Sequence, residues 1–416
     1  MNKLQAQLPL LAKNQAIMAA CTAHPLAIEA VLDYSEANGV PALIEATANQ
    51  VNQFGGYTGM IPTDFVSYIK RLSAGYNCEI ILGGDHLGPL VWRNLPEAEA
   101  IENSIKLIEL YVSAGFTKIH IDTSMRLKDD PEILTNEVIA TRAALLCEKA
   151  ETVASSDNPP VYIVGSEVPI PGGAEHEEEG ITVTRPEDFL ATVDTFRKAF
   201  DKQGLQDVWE RVVAVVVQPG VEFGDDQIFE YDHIKAKALT DVLKPLKPLV
   251  FEGHSTDYQT PKKLREMAED GIKIQKVGPA LTFAVREALF ALSEMEKWLM
   301  PIDKRSNFIE LLDVVMLSEP DNWKNHYHGT EEELAYKRRF SLSDRARYYM
   351  TNPNIEDAVA KLLHNINTHK PPMSLLSQYM PNQYIHLREG RIRLTAEELV
   401  KSRVTDCIET YPIINR

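Results

Sequence analysis

The chain has 416 residues, 44% of them apolar and 25% charged, as in an ordinary soluble globular protein with one large domain and an extension, or two domains. Its formal net charge of −17 disfavours a nucleic-acid or anionic-membrane surface, although a local basic pocket could still receive an anionic substrate. Four scattered cysteines, a polar start and the lack of any apolar run of about 20 residues predict a cytoplasmic protein with reduced thiols.

Eight short β-rich runs follow one another along the chain, and amphipathic segments of helical length separate most of them. The runs comprise residues 16–24, 42–50, 79–86, 118–125, 161–169, 212–220, 249–257 and 272–281. Strands rich in Val and Ile that alternate with helices predict an α/β fold with a parallel sheet. The count of eight, together with the lack of a GxGxxG turn, favours a (β/α)8 TIM barrel over a doubly wound open sheet.

Local signals place the starts of three helices. Thr184 and Glu187 have the spacing of a capping box, and so do Thr330 and Glu333. Thr260 before a proline resembles an N-cap followed by a first-turn proline. We therefore expect helices to begin at these three threonines.

The alternation of strands and helices ends near residue 300. We therefore predict a barrel domain over 1–300 and a C-terminal helical extension over 301–416 that packs on the barrel. Helices are expected at 303–317, 330–340 and 341–350. The acidic segment 174–180 is expected to be a solvated loop or the edge of a lid.

Polar and ionisable residues concentrate at the carboxyl ends of the predicted strands, where the loops of a barrel enzyme converge. A purely structural barrel has no need to desolvate so many charges, because each unpaired one costs several kcal/mol. The residues that we place at this rim include Asn49, Asp85, His86, His120, Asp122, Glu167, Gln218, His254, Ser255, Asp257 and Lys276. The sequence therefore predicts a functional rim.

A metal site is the first interpretation of this rim. His86, Glu167 and His254 follow the third, fifth and seventh strands, and alternate barrel strands point into the same layer. Two imidazoles and one carboxylate suit a divalent transition metal, although each residue alone could instead hydrogen-bond a neighbouring backbone group. Asp85 and Glu167 are the catalytic candidates. In an extended chain the Asp85 side chain diverges from that of His86, so that it either transfers a proton or caps the following turn.

Other polar residues are candidates for substrate binding. His120 and Asp122 face the same way and either orient a ligand or form an internal barrel hydrogen bond. The loop 49–60, which begins with Asn49 and Gln50, has the amides and glycines that suit polyol recognition, or it is a structural turn. The remaining substrate-binding candidates are Gln218, Ser255, Asp257 and Lys276.

Phosphate binding is expected after the eighth strand, where barrel enzymes often hold this group. Lys276 and Gly278 occupy that place. Arg338 and Arg345 could add bidentate contacts to an anion, or they could belong to a solvated, salt-bridged helix.

Several long motifs resemble one known family. The matching segments are CTAHPLAIEAVL, IEATANQVNQFGGYTGM, ILGGDHLGP, SEVPIPGG, VVQPGVEF, HSTDYQT, KVGPALTFAVREALFAL and RRFSLSDRARYY. In this order, from about residue 16 to about residue 350, they resemble the Z-type (GatZ/KbaZ) proteins of D-tagatose-1,6-bisphosphate aldolase. Phe340 stands where the family's motif tends to have tyrosine.

The resemblance implies a (β/α)8 fold and work on ketohexoses or their phosphates in galactitol or N-acetylgalactosamine catabolism. It also leaves two functions open. One is an enzyme that uses Zn, Mn, Ni or Mg for aldol chemistry at C3–C4, most concretely 4-epimerisation between tagatose and fructose or their 6-phosphates. The other is a non-catalytic subunit that stabilises a zinc-dependent Y-type class II aldolase. We expect a homo-oligomer in either case.

Overall fold

Eight parallel strands close into a barrel in the computed structural model, which describes residues 2–168 and 181–413. The strands are β1 (Ile17–Cys21), β2 (Ala42–Thr47), β3 (Ile80–Leu87), β4 (Lys118–Ile121), β5 (Val161–Val164), β6 (Val212–Val217), β7 (Val250–Gly253) and β8 (Ile272–Val277). β8 pairs with β1 in the register Ile17 to Ile274, which closes the barrel. The predicted TIM barrel is therefore confirmed. The acidic segment 174–180 lies outside the described residues.

Helices surround this barrel. They are α1 (Lys3–Gln7), α2 (Pro25–Asn38), α3 (Pro62–Leu72), α4 (Glu97–Ala114), α5 (Asn136–Val153), α6 (Pro186–Lys202), α7 (Gln206–Trp209), α8 (His233–Leu243), α9 (Pro261–Glu269) and α10 (Pro279–Leu299). The Thr260 side chain caps α9, as predicted, by accepting from the Lys263 amide. The predicted capping box at Thr184 is wrong, because Arg185 is the N-cap of α6 and the Thr184 hydroxyl bonds Glu167 instead.

The interior of the barrel has two layers of opposite character. The lower layer is apolar, and the N-terminal segment closes it from below through Leu4 and Leu8. The upper layer, at the carboxyl ends of the strands, holds buried charged side chains. The sheet positions these charges because side chains alternate along a strand. In β4, for example, Ile119 packs outward while Lys118 and His120 lie inside the barrel.

The chain after residue 300 is helical. Its helices are α11 (Phe308–Ser318), α12 (Glu331–Phe340), α13 (Pro353–His369), α14 (Met373–Tyr379), α15 (Pro381–Arg388) and α16 (Ala396–Ile408), and α16 packs against α2 and α10. The Thr330–Glu333 capping box is present at the start of α12. The helix predicted at 341–350 is instead a short 3₁₀ turn, Arg345–Tyr349, because Asp344 adopts a left-handed φ of 45° that interrupts helical geometry.

Two further features complete the architecture. A small antiparallel hairpin, Glu222–Phe223 with Ile228–Phe229, follows β6 and was not predicted from the sequence. Over the described ranges, no helix has both the length and the apolar character that crossing a membrane requires.

Candidate metal centre and active site

Three histidines meet at the carboxyl end of the barrel. His86 lies at the end of β3, His120 on β4 and His254 directly after β7. The ring centroids of His86 and His254 are 4.9 Å apart, and each of these rings is 5.0 Å from that of His120. One nitrogen of each ring and a carboxylate oxygen of Asp85 all lie within 4.8 Å of one another. These four side chains, which we call the histidine cluster, are no more than 4% exposed.

An irregularity in β3 brings His86 to this position. The pairing of β3 with β4 shifts register between Gly84 and Leu87, and His86 adopts a left-handed φ of 47°. The expectation that Asp85 and His86 diverge is therefore wrong, since the Oδ2 of Asp85 lies 3.7 Å from the Nε2 of His86. A non-glycine residue with positive φ is uncommon and costs energy, and such strain often occurs at functional sites.

The strand end packs so closely that Gly88 has no room for a side chain. A Cβ atom at this position would lie 1.8 Å from the backbone oxygen of Asp122. The close approach keeps the end of β3 beside the end of β4, and with it His86 beside Asp122.

Each of the three imidazoles has one ring nitrogen within hydrogen-bonding distance of a carboxylate. The Nδ1 of His86 is 2.9 Å from Asp122, and the Nδ1 of His120 is 2.8 Å from Asp85. The Nε2 of His254 is 3.0 Å from Glu252. The second nitrogen of each ring is then left for another partner, and no group within residues 2–168 and 181–413 hydrogen-bonds the buried Nε2 of His120. Carboxylates that fix the orientation of imidazoles in this way are typical of metal-ligating histidines.

The charges around the cluster do not balance. Among the described residues that surround it, two ammonium groups meet four buried carboxylates, those of Glu45, Asp85, Asp122 and Glu252. Lys118 lies 2.5 Å from Glu45 and 2.7 Å from Glu252, while Lys276 pairs with Glu45 and, at 2.7 Å, with Asp85. Burial would lower the pKa of His86, but the carboxylates of Asp85 and Asp122 outweigh it and raise that pKa, so a protonated His86 can offset one of the two surplus negative charges. The remaining buried surplus is costly unless a further cation offsets it. The residues present therefore fit a divalent metal ion.

The titration of the cluster also suits a metal. Burial lowers the pKa of His254 to about 3 despite the nearby Glu252 carboxylate, so this imidazole is neutral at physiological pH and free to coordinate. Burial would raise the pKa of Asp85, but the positive charges of His86 and Lys276 outweigh it and hold the pKa well below its usual range. Asp85 is therefore ionised at neutral pH.

A second group of possible ligands lies beside the first. Cys21, Glu45 and Asp85 also offer three donor atoms within 4.8 Å of one another. The Lys276 ammonium already pairs with both of these carboxylates. Burial and the Asp85 charge raise the pKa of the Cys21 thiol well above its usual value, so the thiol stays neutral. This second group is occupied by a lysine and does not need an ion.

A pocket opens above the histidine cluster, and we call it the mouth pocket. Its lining includes the predicted residues Asn49, Gln50, Asp85, His86, His254, Ser255, Asp257, Lys276 and Gly278. It also includes Tyr57, Arg347 and Tyr348, which the sequence analysis did not single out. Arg347 and Tyr348 come from the C-terminal extension, so the extension contributes directly to the pocket.

Comparison with known proteins identifies the family. Residues 6–414 match the family described as D-tagatose-1,6-bisphosphate aldolase subunit GatZ/KbaZ-like. The chain belongs to this family. A crystal structure of a probable tagatose 6 phosphate kinase from Sinorhizobium meliloti 1021 is 42% identical, with a TM-score of 0.89 over 95% of this chain and 99% of that one. Fructose-bisphosphate aldolase from Campylobacter jejuni is 14% identical, with a TM-score of 0.51 over 99% of this chain and 94% of that one, and shares the fold.

In this GatZ/KbaZ-like protein, Glu167 does not join the histidine cluster. Strand β5 ends at Val164, so Glu167 lies three residues beyond the barrel layer and is exposed. Its carboxylate accepts a hydrogen bond from Thr184, and it lines a separate polar cavity with Ser124 and Arg126. His120, and not Glu167, is the third residue beside His86 and His254. The signal in the sequence is the alternation of Lys118 and His120 along β4, continued by Asp122 directly after the strand.

Gln218, Arg338 and Arg345 lie apart from both the pocket lining and the histidine cluster. Gln218 accepts from the amides of Gly220 and Val221 through its side-chain oxygen, at 2.8 and 3.0 Å, and so stabilises its own turn. Arg338 pairs with Asp313 at 2.6 Å, and Arg345 donates to the Asn322 carbonyl at 2.9 Å. These contacts support structural roles for the two arginines. Asp122, in contrast, lies behind His86 and orients it.

Proposed function

We propose that this chain is a metal-dependent enzyme that opens and re-forms the C3–C4 bond of a ketohexose or its phosphate. Most concretely, it interconverts tagatose and fructose, or their 6-phosphates, by inversion at C4. The observation that carries this proposal is the histidine cluster, in which three carboxylate-held imidazoles face one another within a surplus of buried negative charge. A scaffold protein gains nothing from such an arrangement.

His86, His120 and His254 would hold the metal, and the Asp85 carboxylate lies within reach of the same point. The identity of the ion, Zn, Mn, Ni or Mg, stays open. Three imidazoles favour a transition metal over Mg, which prefers oxygen ligands. When bound, the ion supplies a Lewis acid that polarises the C2 carbonyl of the sugar.

Asp85 is the residue best placed to move the proton. It is ionised, borders the mouth pocket and lies beside the histidine cluster. It would accept the proton of the C4 hydroxyl, whose electrons form the new aldehyde while the C3–C4 bond breaks and its electron pair forms the enediolate of the other fragment. Rotation of the aldehyde and the reverse step give the C4 epimer, whereas release of the fragments gives aldol cleavage. Lys276 balances the Asp85 charge in either case.

The names of related proteins support the substrate class. The family is described as a subunit of D-tagatose-1,6-bisphosphate aldolase, and the Sinorhizobium relative as a probable tagatose 6 phosphate kinase. Both names refer to a tagatose phosphate, in agreement with a pocket lined by amides, hydroxyls and cations. The word subunit also favours a second candidate function, namely an accessory chain that stabilises a Y-type aldolase.

Elemental analysis and sugar turnover on the same purified samples test the enzymatic proposal. We expect about one divalent ion per chain after loading with Zn, Mn or Ni, and conversion between the 6-phosphates of tagatose and fructose, or between the free sugars. His86→Ala should lose both the ion and the turnover, whereas Glu167→Gln should keep the ion. A loaded wild type that retains no metal and converts neither sugar would contradict the proposal.

Mixing with a Y-type aldolase tests the accessory function separately. An accessory chain should raise the activity or the thermal midpoint of the aldolase, and His86→Ala should do so as well as the wild type. No change in either property would exclude this second function.

A further inference from the structure

Arg347 lies in the wall of the mouth pocket and comes from the C-terminal extension. Its Nη1 donates to the carbonyl of Ser343 and, at 3.0 Å, to that of Asp344. Its Nη2 donates to the Tyr348 hydroxyl at 3.0 Å, and its Cζ lies 4.4 Å from the centre of the Tyr348 ring. The guanidinium is therefore fixed in place before any ligand binds.

These contacts use three of the five N–H groups of the guanidinium, and the other two form no hydrogen bond to the part of the chain that the structure describes. No carboxylate among residues 2–168 and 181–413 forms a salt bridge with Arg347 within 4.0 Å. Lys276, the other cation of the pocket wall outside the histidines, pairs with Glu45 and Asp85. Arg347 is thus the pocket cation that no described carboxylate contacts directly, although the charge of Asp344 acts on it from further away.

The place where the sequence analysis expected phosphate is already occupied by a carboxylate. Oδ1 of Asp257 accepts from the amides of Gly278 and Ala280 at 3.0 and 2.8 Å, at the N-terminus of α10. An anion at this helix end would have to displace Asp257 or lie against it. The Gly278 end of the pocket therefore does not favour a phosphate.

The surroundings of Arg347 suit a phosphate ester. Tyr57 packs against Tyr348 edge to face with ring centroids 4.8 Å apart, and both rings line the pocket. Gln50 accepts from the Thr47 amide through its side-chain oxygen at 2.8 Å, and its side chain also hydrogen-bonds Tyr57. A planar guanidinium with two free donors binds phosphate bidentately.

We propose that Arg347 binds the single phosphate group of a ketohexose monophosphate, at the end of the sugar remote from the histidine cluster, and that it sets the preference for one phosphate over none or two. The proposal rests on the proposed function for the identity of the sugar. Arg347, which no described carboxylate contacts within 4.0 Å, can pair with one phosphate, whereas a second phosphate would meet Asp85 and Asp257 without such a cation.

Binding to Arg347→Gln tests the inference without requiring turnover. Calorimetry on the full chain would measure the affinities for inorganic phosphate, fructose 6-phosphate, fructose 1,6-bisphosphate and fructose. We expect Arg347→Gln to weaken the affinity for fructose 6-phosphate and for inorganic phosphate by about 10- to 100-fold, as for loss of a charge-assisted pair. The affinity for fructose should change by less than about twofold. The phosphate affinity of Arg347→Lys should lie between those of the wild type and Arg347→Gln, because lysine keeps the charge but not the planar guanidinium. Arg339→Gln, which removes an equal charge outside the pocket, should bind like the wild type.

Each other result overturns the inference. An unchanged affinity for fructose 6-phosphate in Arg347→Gln would show that the arginine does not hold the phosphate. Equal losses for fructose and its 6-phosphate, in a variant with the wild-type thermal midpoint, would assign Arg347 to the sugar or to the pocket structure. Tighter binding of the bisphosphate than of the monophosphate would refute the preference for one phosphate. If sugars bind as expected but no isomer forms, the proposed function fails while the phosphate site stands.

Discussion

His120 is the residue on which the proposed metal site depends most. It lies on the inner face of β4, between Lys118 and Asp122, and its buried Nε2 has no hydrogen-bond partner among the described residues. A buried polar atom without a partner costs roughly 1–3 kcal/mol. A bound metal ion would remove that cost.

We therefore predict that His120→Ala lowers the metal content as strongly as His254→Ala does. The affinity for Zn or Mn should fall by at least about 100-fold, because one of three imidazole ligands is lost. Loss of a group that only hydrogen-bonds a metal ligand already lowers metal affinity by about 10- to 100-fold. Competition with a fluorescent chelator measures this affinity. Glu167→Gln is the matched control and should bind the metal like the wild type. The opposite ranking, with Glu167→Gln losing the metal and His120→Ala keeping it, would restore the ligand set predicted from the sequence.

Individual residues show where prediction from the sequence succeeds and where it stops. His86, Asp85 and His254 could be identified because each follows a buried strand, and strand ends converge in a barrel. The β-rich run extends to residue 169 and therefore predicts Glu167 beside them, whereas the strand ends at Val164. Because the strand ends five residues earlier than predicted, Glu167 lies outside the barrel. No local sequence pattern marks the true end of the strand.

The hairpin after β6 shows a similar limit at the level of an element. Its two-residue strands are too short to produce an alternating pattern, yet they bring Phe223 into the lining of the mouth pocket. Glu222 of the same hairpin is 5% exposed and accepts from the Phe223 amide at 3.1 Å. Burial, reinforced by the charge of Asp257, raises its pKa from the ordinary 4.5 to about 7.

This raised pKa predicts how the stability changes with pH. The folded state favours protonated Glu222, so the contribution to stability is complete below pH 4.5 and is lost as the pH rises through about 7. Between pH 5 and pH 8, the free energy of unfolding of the wild type should fall by on the order of 3 kcal/mol more than that of Glu222→Gln. Chemical denaturation in the presence of a chelator measures the difference without a contribution from metal release. Asp226→Asn, at the exposed turn of the hairpin, should follow the wild type, and parallel pH profiles for Glu222→Gln and wild type would contradict this assignment.

The segment 341–350 shows how a tertiary contact can override a helical sequence. Its pattern predicts a helix that presents Arg345 to an anion. In the structure the segment is held by Asp344, which adopts a left-handed φ of 45° and accepts from Thr282 and Arg286 of α10, each at 2.6 Å. Arg347 rather than Arg345 then faces the pocket. The two partners of Asp344 are 62 and 58 residues away along the chain, so a local sequence pattern cannot reveal them.

In the molecule as a whole, the C-terminal extension completes a pocket that the barrel alone leaves open. The barrel supplies the histidine cluster, and the extension supplies Arg347 and Tyr348. Their connection runs through the Arg286–Asp344 pair, in which both side chains are no more than 2% exposed and Nε lies 2.6 Å from Oδ1. The family match over residues 6–414 includes both parts.

Breaking this pair should therefore affect both stability and phosphate binding. Arg286→Met leaves the Asp344 carboxylate buried without its cation, which costs about 3–5 kcal/mol in comparable buried pairs. The double variant Arg286→Met/Asp344→Asn removes the orphaned charge and should recover most of that loss, measured by chemical denaturation. Neither variant changes a side chain of the histidine cluster, so both should bind metal normally. The affinity for inorganic phosphate should fall in both, because Asp344 no longer fixes the turn that carries Arg347. Wild-type phosphate affinity in a destabilised Arg286→Met would show that the pair stabilises the fold without positioning the pocket.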